Sequence, residues 1–173
     1  MSYSFTITSL FPNSTHLENN LKTGNAFIYE HTDQGTSNKK YYLVTTTHIL
    51  LDDPSSIHAV LAKTVKSQQM TLEVSKFCFS RYFDVAYLLL SSDQYTTFTE
   101  KGVLAYSKYN ESNTVSKVSV NFVDRSSRIN MSITANYING ILSTVPLGVI
   151  THKLLPGSSG SAVVDSNNAV VGL

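Results

Sequence analysis

The chain has 173 residues with 13 Lys and Arg against 12 Asp and Glu, a net charge of +1. No basic surplus exists to drive counterion release from a nucleic-acid backbone or attraction to an anionic membrane, so neither is expected as a partner. Only 14% of residues are charged, well below the roughly 25% of an average domain, which excludes long solvated helices and coiled coils.

In chain order, the pattern is one of short strands. Val, Ile, Thr, Tyr and Phe supply 61 of the 173 residues, the types that fit a pleated, half-buried surface. Segments of period-2 alternation are expected as strands at 3–10, 24–31, 40–47, 57–63, 70–77 and 84–90, separated by turns at Pro12-Asn13-Ser14, 33–38 and 52–56. The polar stretch Ser91 to Gly102 reads as a surface connector carrying one helical turn. A second set of strands is expected at 103–107, 116–123, 129–138, 145–152, 160–165 and 169–173. The fold class is therefore all-β, with an N-terminal lobe over 1–92, a connector over 93–102 and a C-terminal lobe over 103–173. The start of the chain lacks the basic and apolar regions of a secretory signal, and Cys78 has no cysteine to pair with, so an intracellular, cytoplasmic location is expected. His16, His31 and His58 lack metal-ligand spacing and, with Cys78, are expected to pack in the core; no metal and no cofactor is expected.

Three segments carry chemistry. Leu155-Pro156-Gly157-Ser158-Ser159-Gly160-Ser161-Ala162 places Ser159 between glycines that permit a tight turn. A hydroxyl is a weak nucleophile and needs backbone N–H groups aimed at the oxyanion formed on attack, together with a base. On its own such a tract is more often a flexible loop. His48 ends the β-rich run Tyr41-Tyr42-Leu43-Val44-Thr45-Thr46-Thr47, where a ring would sit at the edge of a lobe. Asp84 precedes the apolar strand Val85-Ala86-Tyr87-Leu88-Leu89-Leu90, a place where a carboxylate is expected to be buried or half-buried and to need a partner such as an imidazole N–H. Taken singly, His48 could be a strand-end packing residue and Asp84 a turn former.

Together the segments resemble the chymotrypsin-like (trypsin-fold) serine peptidases, nearest in motif to the HtrA-type and to intracellular or viral members. Thr23-Gly24-Asn25-Ala26-Phe27-Ile28 looks like the family's Gly-containing strand, and Thr46-Thr47-His48 like its strand-end histidine. Asp84-Val85-Ala86-Tyr87-Leu88 looks like its Asp-hydrophobic-Ala-hydrophobic-Leu motif, and Pro156 to Val164 like its nucleophile turn. The order His, Asp, Ser matches as well. Ser158 stands where the family usually has Asp or Asn. The resemblance implies two antiparallel six-stranded β-barrels with the site between them, the second lacking its last strand or strands. It also implies an endopeptidase in which Ser159 attacks, His48 is the base, Asp84 orients it, and the N–H groups of Gly157 and Ser159 hold the oxyanion. His152, Lys153 and Leu154 would line the substrate pocket, and protein or peptide substrates and further domains beyond Leu173 are expected as partners. The alternative is a catalytically silent double-barrel module that binds an extended peptide along an edge strand.

Overall fold

The structure, a computed structural model, describes residues 1–10, 23–50, 59–64, 66, 68–80, 83–111, 115–142 and 145–173. The turns expected at 12–14 and 52–56, together with His16 and His58, lie outside the described residues. Thirteen strands are found among them. In the first part of the chain these are β1 (Ser4–Leu10), β2 (Thr23–Thr32), β3 (Lys39–Thr45), β4 (Ala59–Lys63), β5 (Gln69–Glu73), β6 (Cys78–Phe79), β7 (Ala86–Leu89) and β8 (Ala105–Tyr106). They form one sheet in the order β5-β4-β1-β2-β3-β7-β6, with β8 added parallel to β2. β9 (Lys117–Val123), β10 (Asn130–Leu142), β11 (Val145–Ile150), β12 (Ala162–Val164) and β13 (Val170–Gly172) form a second, antiparallel sheet in the order β11-β10-β9-β12-β13. The sheets thus hold eight and five strands rather than six each. The strand expected at 103–107, grouped by sequence with the second lobe, hydrogen-bonds to β2 of the first.

β2 explains how the lobes share one interior. Gly24 to Ile28 are buried without a break, although a strand with one wet face would alternate. Ala26 and Ile28 belong to the core of the first sheet with Phe5, Ile7, Leu43 and Phe98, whereas Phe27 packs with Tyr106, Ala162, Val164 and Val170. One face of β2 therefore serves the first barrel and the other serves the seam with the second. Asn25, on the face of Phe27, is fully buried in that seam.

Helical structure is where the sequence reading falls short. A short helical turn, α1 (Thr47–Leu50), follows β3, anchored by buried Ile49 and Leu50, so His48 lies just past the strand and not within it. The connector holds a full helix, α2 (Ser92–Glu100). Ser91 starts it with a reciprocal cap: its hydroxyl accepts from Gln94 N–H (3.1 Å), and its N–H donates to Gln94 Oε1 (2.9 Å). Phe98 docks the helix on Phe5 at a ring separation of 5.0 Å. Two residues expected in the core face water instead. Cys78 lies exposed on edge strand β6 while its neighbour Phe77 is buried, and His31 is exposed beside Asp33 (3.7 Å).

Candidate active site

The register of β3 on β7 brings His48 and Asp84 together. Thr45 pairs with Ala86 in an antiparallel ladder, so the chain leaving β3 and the chain entering β7 run side by side. Asp84 then accepts two hydrogen bonds from one residue: His48 N–H to Oδ1 at 2.9 Å, and the ring Nδ1 to Oδ2 at 2.5 Å. Thr47 N–H reaches the Asp84 carbonyl at 3.4 Å. A carboxylate can only accept, so the proton sits on Nδ1 and Nε2 is the basic nitrogen of the ring. The carboxylate expected to be buried or half-buried is about half exposed: the side chains of His48 and Asp84 are 51% and 54% exposed. What stabilises the charge at the mouth of the strand is two convergent N–H donors, not exclusion of water.

The serine turn runs from Leu155 to Ser161. Gly157 and Gly160 have φ of +91° and +85°, a region that side chains disfavour. Ser158 N–H donates to the Leu155 carbonyl (3.2 Å), and the Ser158 carbonyl accepts from Ser161 N–H (3.0 Å) and from the Ser161 hydroxyl. No acceptor among the described residues takes the N–H of Gly157 or of Ser159. The stem of Arg125 lies over Gly157, its Cδ 3.0 Å from where a Cβ would stand.

β2 and β3 hold this turn against the His48 segment. The position a Gly24 Cβ would occupy is 2.0 Å from Ile49 Cδ1 and 2.7 Å from the Ser159 carbonyl oxygen. The residue after His48 and the backbone of Ser159 therefore meet across Gly24. A Cβ on Gly160 would overlap the Asn25 carbonyl at 2.0 Å and Thr45 Oγ1 at 2.7 Å. Asn25 N–H donates to the Ser159 carbonyl (2.6 Å), and its side chain reaches Gly157 and Val123. These contacts set the backbone of Ser159 beside Ile49, the residue that follows His48, with Gly157 tied to the same strand through Asn25. Sequence reasoning quoted Asn25 only as part of a strand; an amide flanked by Gly24 and apolar Ala26-Phe27 was the signal that it needs buried partners.

His152 and Lys153 are exposed and Leu154 is half-buried in the segment between β11 and the turn. No hydrogen bond or ion pair among the described residues ties these three side chains to the turn. No cluster of three His, Cys, Asp or Glu suited to a metal occurs among the described residues, and no helix is long and apolar enough to cross a membrane.

No protein-family model matches the sequence, and no curated protein matches it. Solved structures do match in shape. A thermostable serine protease, AL20, from an extremophilic microorganism aligns over 98% of this chain and 82% of its own, with a TM-score of 0.67 at 13% identity. A cysteine-to-alanine mutant of Tobacco Etch Virus protease aligns over 98% of this chain with a TM-score of 0.58 at 9% identity. The present chain spans 65% of that protease's length. The serine protease domain of the Sesbania Mosaic Virus polyprotein aligns over 97% and 78% of the two chains, with a TM-score of 0.55 at 15% identity. At these identities the likeness speaks for architecture alone: the chain has the chymotrypsin-like fold, two curled β-sheets set against each other, shared with trypsin-like proteases of bacterial HtrA type and of viruses.

Proposed function

We propose that the chain is a serine endopeptidase with a His48-Asp84-Ser159 triad. The observation that carries the reading is the two-point attachment of Asp84 to His48, through the backbone N–H and Nδ1, at the seam where Gly24 fastens the Ser159 turn. Asp84 fixes the ring and its tautomer. Nε2 is then the ring nitrogen that takes the Ser159 hydroxyl proton as the oxygen attacks the scissile carbonyl, and returns it to the leaving amine. Charge that develops on the carbonyl oxygen is met by the N–H groups of Gly157 and Ser159, which no internal acceptor among the described residues uses. His152 and Lys153, on the approach to the turn, would favour an acidic or polar side chain before the scissile bond, with Leu154 forming the pocket floor.

The test is labelling with a fluorophosphonate, which reacts at useful rates only with a base-activated hydroxyl. Labelling is expected on Ser159, to be lost in Ser159→Ala and in the unfolded chain. Equal labelling of folded and unfolded protein would overturn the reading. Modification at Ser158 or Ser161 would move the nucleophile.

A further inference from the structure

Asn25 is fully buried, and both ends of its carboxamide have partners on the other lobe. Nδ2 donates to the Gly157 carbonyl (2.9 Å) and to the Val123 carbonyl (3.2 Å), while Oδ1 accepts from Val123 N–H (2.8 Å). A backbone N–H can only donate, so Oδ1 must face Val123, and the orientation of the amide is forced. Its main chain completes the arrangement: Asn25 N–H holds the Ser159 carbonyl (2.6 Å), and the Asn25 carbonyl accepts from Thr45 Oγ1 (2.8 Å).

We propose that the Asn25 carboxamide is the positioning residue of the oxyanion-binding turn, holding Gly157 and Ser159 so that their N–H groups converge on the substrate oxygen. The inference rests on the peptidase reading above. A peptide unit is planar and trans, so clamping the carbonyl of one residue aims the N–H of the next the opposite way. The Ser158 carbonyl, held by Ser161 N–H, thereby aims Ser159 N–H, and the Gly157 carbonyl, held by Nδ2, fixes the peptide unit that joins Gly157 to Ser158, between the two oxyanion donors. The second of these clamps needs a side chain from outside the turn. Gly157 lies at φ +91°, and a glycine has no Cβ to bias it there; unclamped, it rotates readily and its flanking peptides turn with it. Asn25 takes that freedom away by tying Gly157 to β9 through one amide. With no exposed surface of its own, it acts through the turn and touches no substrate.

The experiment uses the full chain and an activated ester substrate. In Asn25→Ala, kcat is expected to fall on the order of 10²-fold, the loss seen when an oxyanion donor is removed, while KM stays within about threefold. The fluorophosphonate labelling rate should fall with kcat. Arg128→Met, which removes a different bond set between the lobes, is the control for stability alone and should leave kcat unchanged. If Asn25→Ala does not fold, Asn25→Ser, too short to span both carbonyls, should show the same kcat-selective loss. Wild-type kcat in either folded variant, or a loss matching only the fraction unfolded in denaturation, overturns the proposal. Absence of Ser159 labelling in the wild type would instead remove the peptidase reading, and this inference with it.

Discussion

At the residue scale, the His48–Asp84 pair has more consequence for chemistry than for stability. Both side chains are half exposed, and exposed ion pairs contribute at most about 1 kcal/mol. In Asp84→Asn, the amide oxygen can keep the bond from His48 N–H, but the amide nitrogen then faces Nδ1 and favours the tautomer protonated at Nε2. That ring cannot accept the Ser159 proton. Asp84→Asn is therefore expected to lower turnover by on the order of 10⁴ while leaving the melting temperature nearly unchanged. Turnover on the ester substrate and a thermal melt check both halves, and near-wild-type activity would mean that Asp84 does not orient the base. The three residues of the proposed triad stood out in the sequence because His48 and Asp84 lie at the ends of β-rich, apolar runs and Ser159 lies between two glycines. The clamp around them was not: Asn25, Gly24 and Thr45 acquire their roles only when β2 is laid between two lobes, and no local pattern reports a contact more than 100 residues away, such as that of Asn25 with Gly157.

At the element scale, the strands were readable from period-2 alternation with turn residues between them, because a strand that buries one face writes that face into its sequence. α2 was read only as one helical turn in a polar connector, since Thr96, Thr97 and Thr99 are weak helix formers. Its real signal was the Ser91–Gln94 capping box, which satisfies two otherwise orphaned N–H groups. Tyr41 couples this helix to β3 by stacking on Tyr95 with ring centroids 3.5 Å apart. Burial, followed by the hydrogen bond to Tyr95 and the nearby Glu30 carboxylate, pushes the Tyr41 phenol up to about 12. In the unfolded chain a phenol titrates near ~10. A raised folded value gives stability that is complete below pH ~10 and lost as pH climbs toward about 12, because there the unfolded state releases the proton first. Tyr41→Phe removes this dependence. The variant should lose less stability than the wild type between pH 10 and 12, measured as urea midpoints across that window; parallel curves would show that Tyr41 does not stay neutral in the folded protein.

At the scale of the whole molecule, a small number of polar contacts sets one lobe on the other. Asn25 meets Val123 and Gly157, and the Ser4 hydroxyl donates to the Asn121 carbonyl (2.9 Å). The most exacting contact is Arg128, in the turn between β9 and β10. Its guanidinium crosses to the first lobe and donates to Thr6 Oγ1 (2.7 Å), the Lys63 carbonyl (3.1 Å) and the Thr64 carbonyl. No carboxylate among the described residues pairs with it, and burial pulls its pKa below the usual arginine value, so the charge is held by neutral oxygens alone. Two opposed terms decide what the contact contributes. Hydrogen bonds from a charged donor add about 1.5–3 kcal/mol each, whereas taking a cation out of water costs several kcal/mol. The guanidinium is only partly withdrawn from solvent, so the desolvation cost is incomplete, but its Nε is buried with no hydrogen-bond partner, which subtracts from what the three bonds contribute. Arg128→Met is accordingly expected to destabilise the fold by about 2 kcal/mol, and Arg128→Lys to recover little of it, since a single ammonium cannot span three oxygens set for a planar fork. Urea denaturation of the three proteins measures this directly. A Met variant as stable as the wild type would mean that desolvation cancels the bonds, and that the lobes are held by the apolar seam around Phe27 and Tyr106.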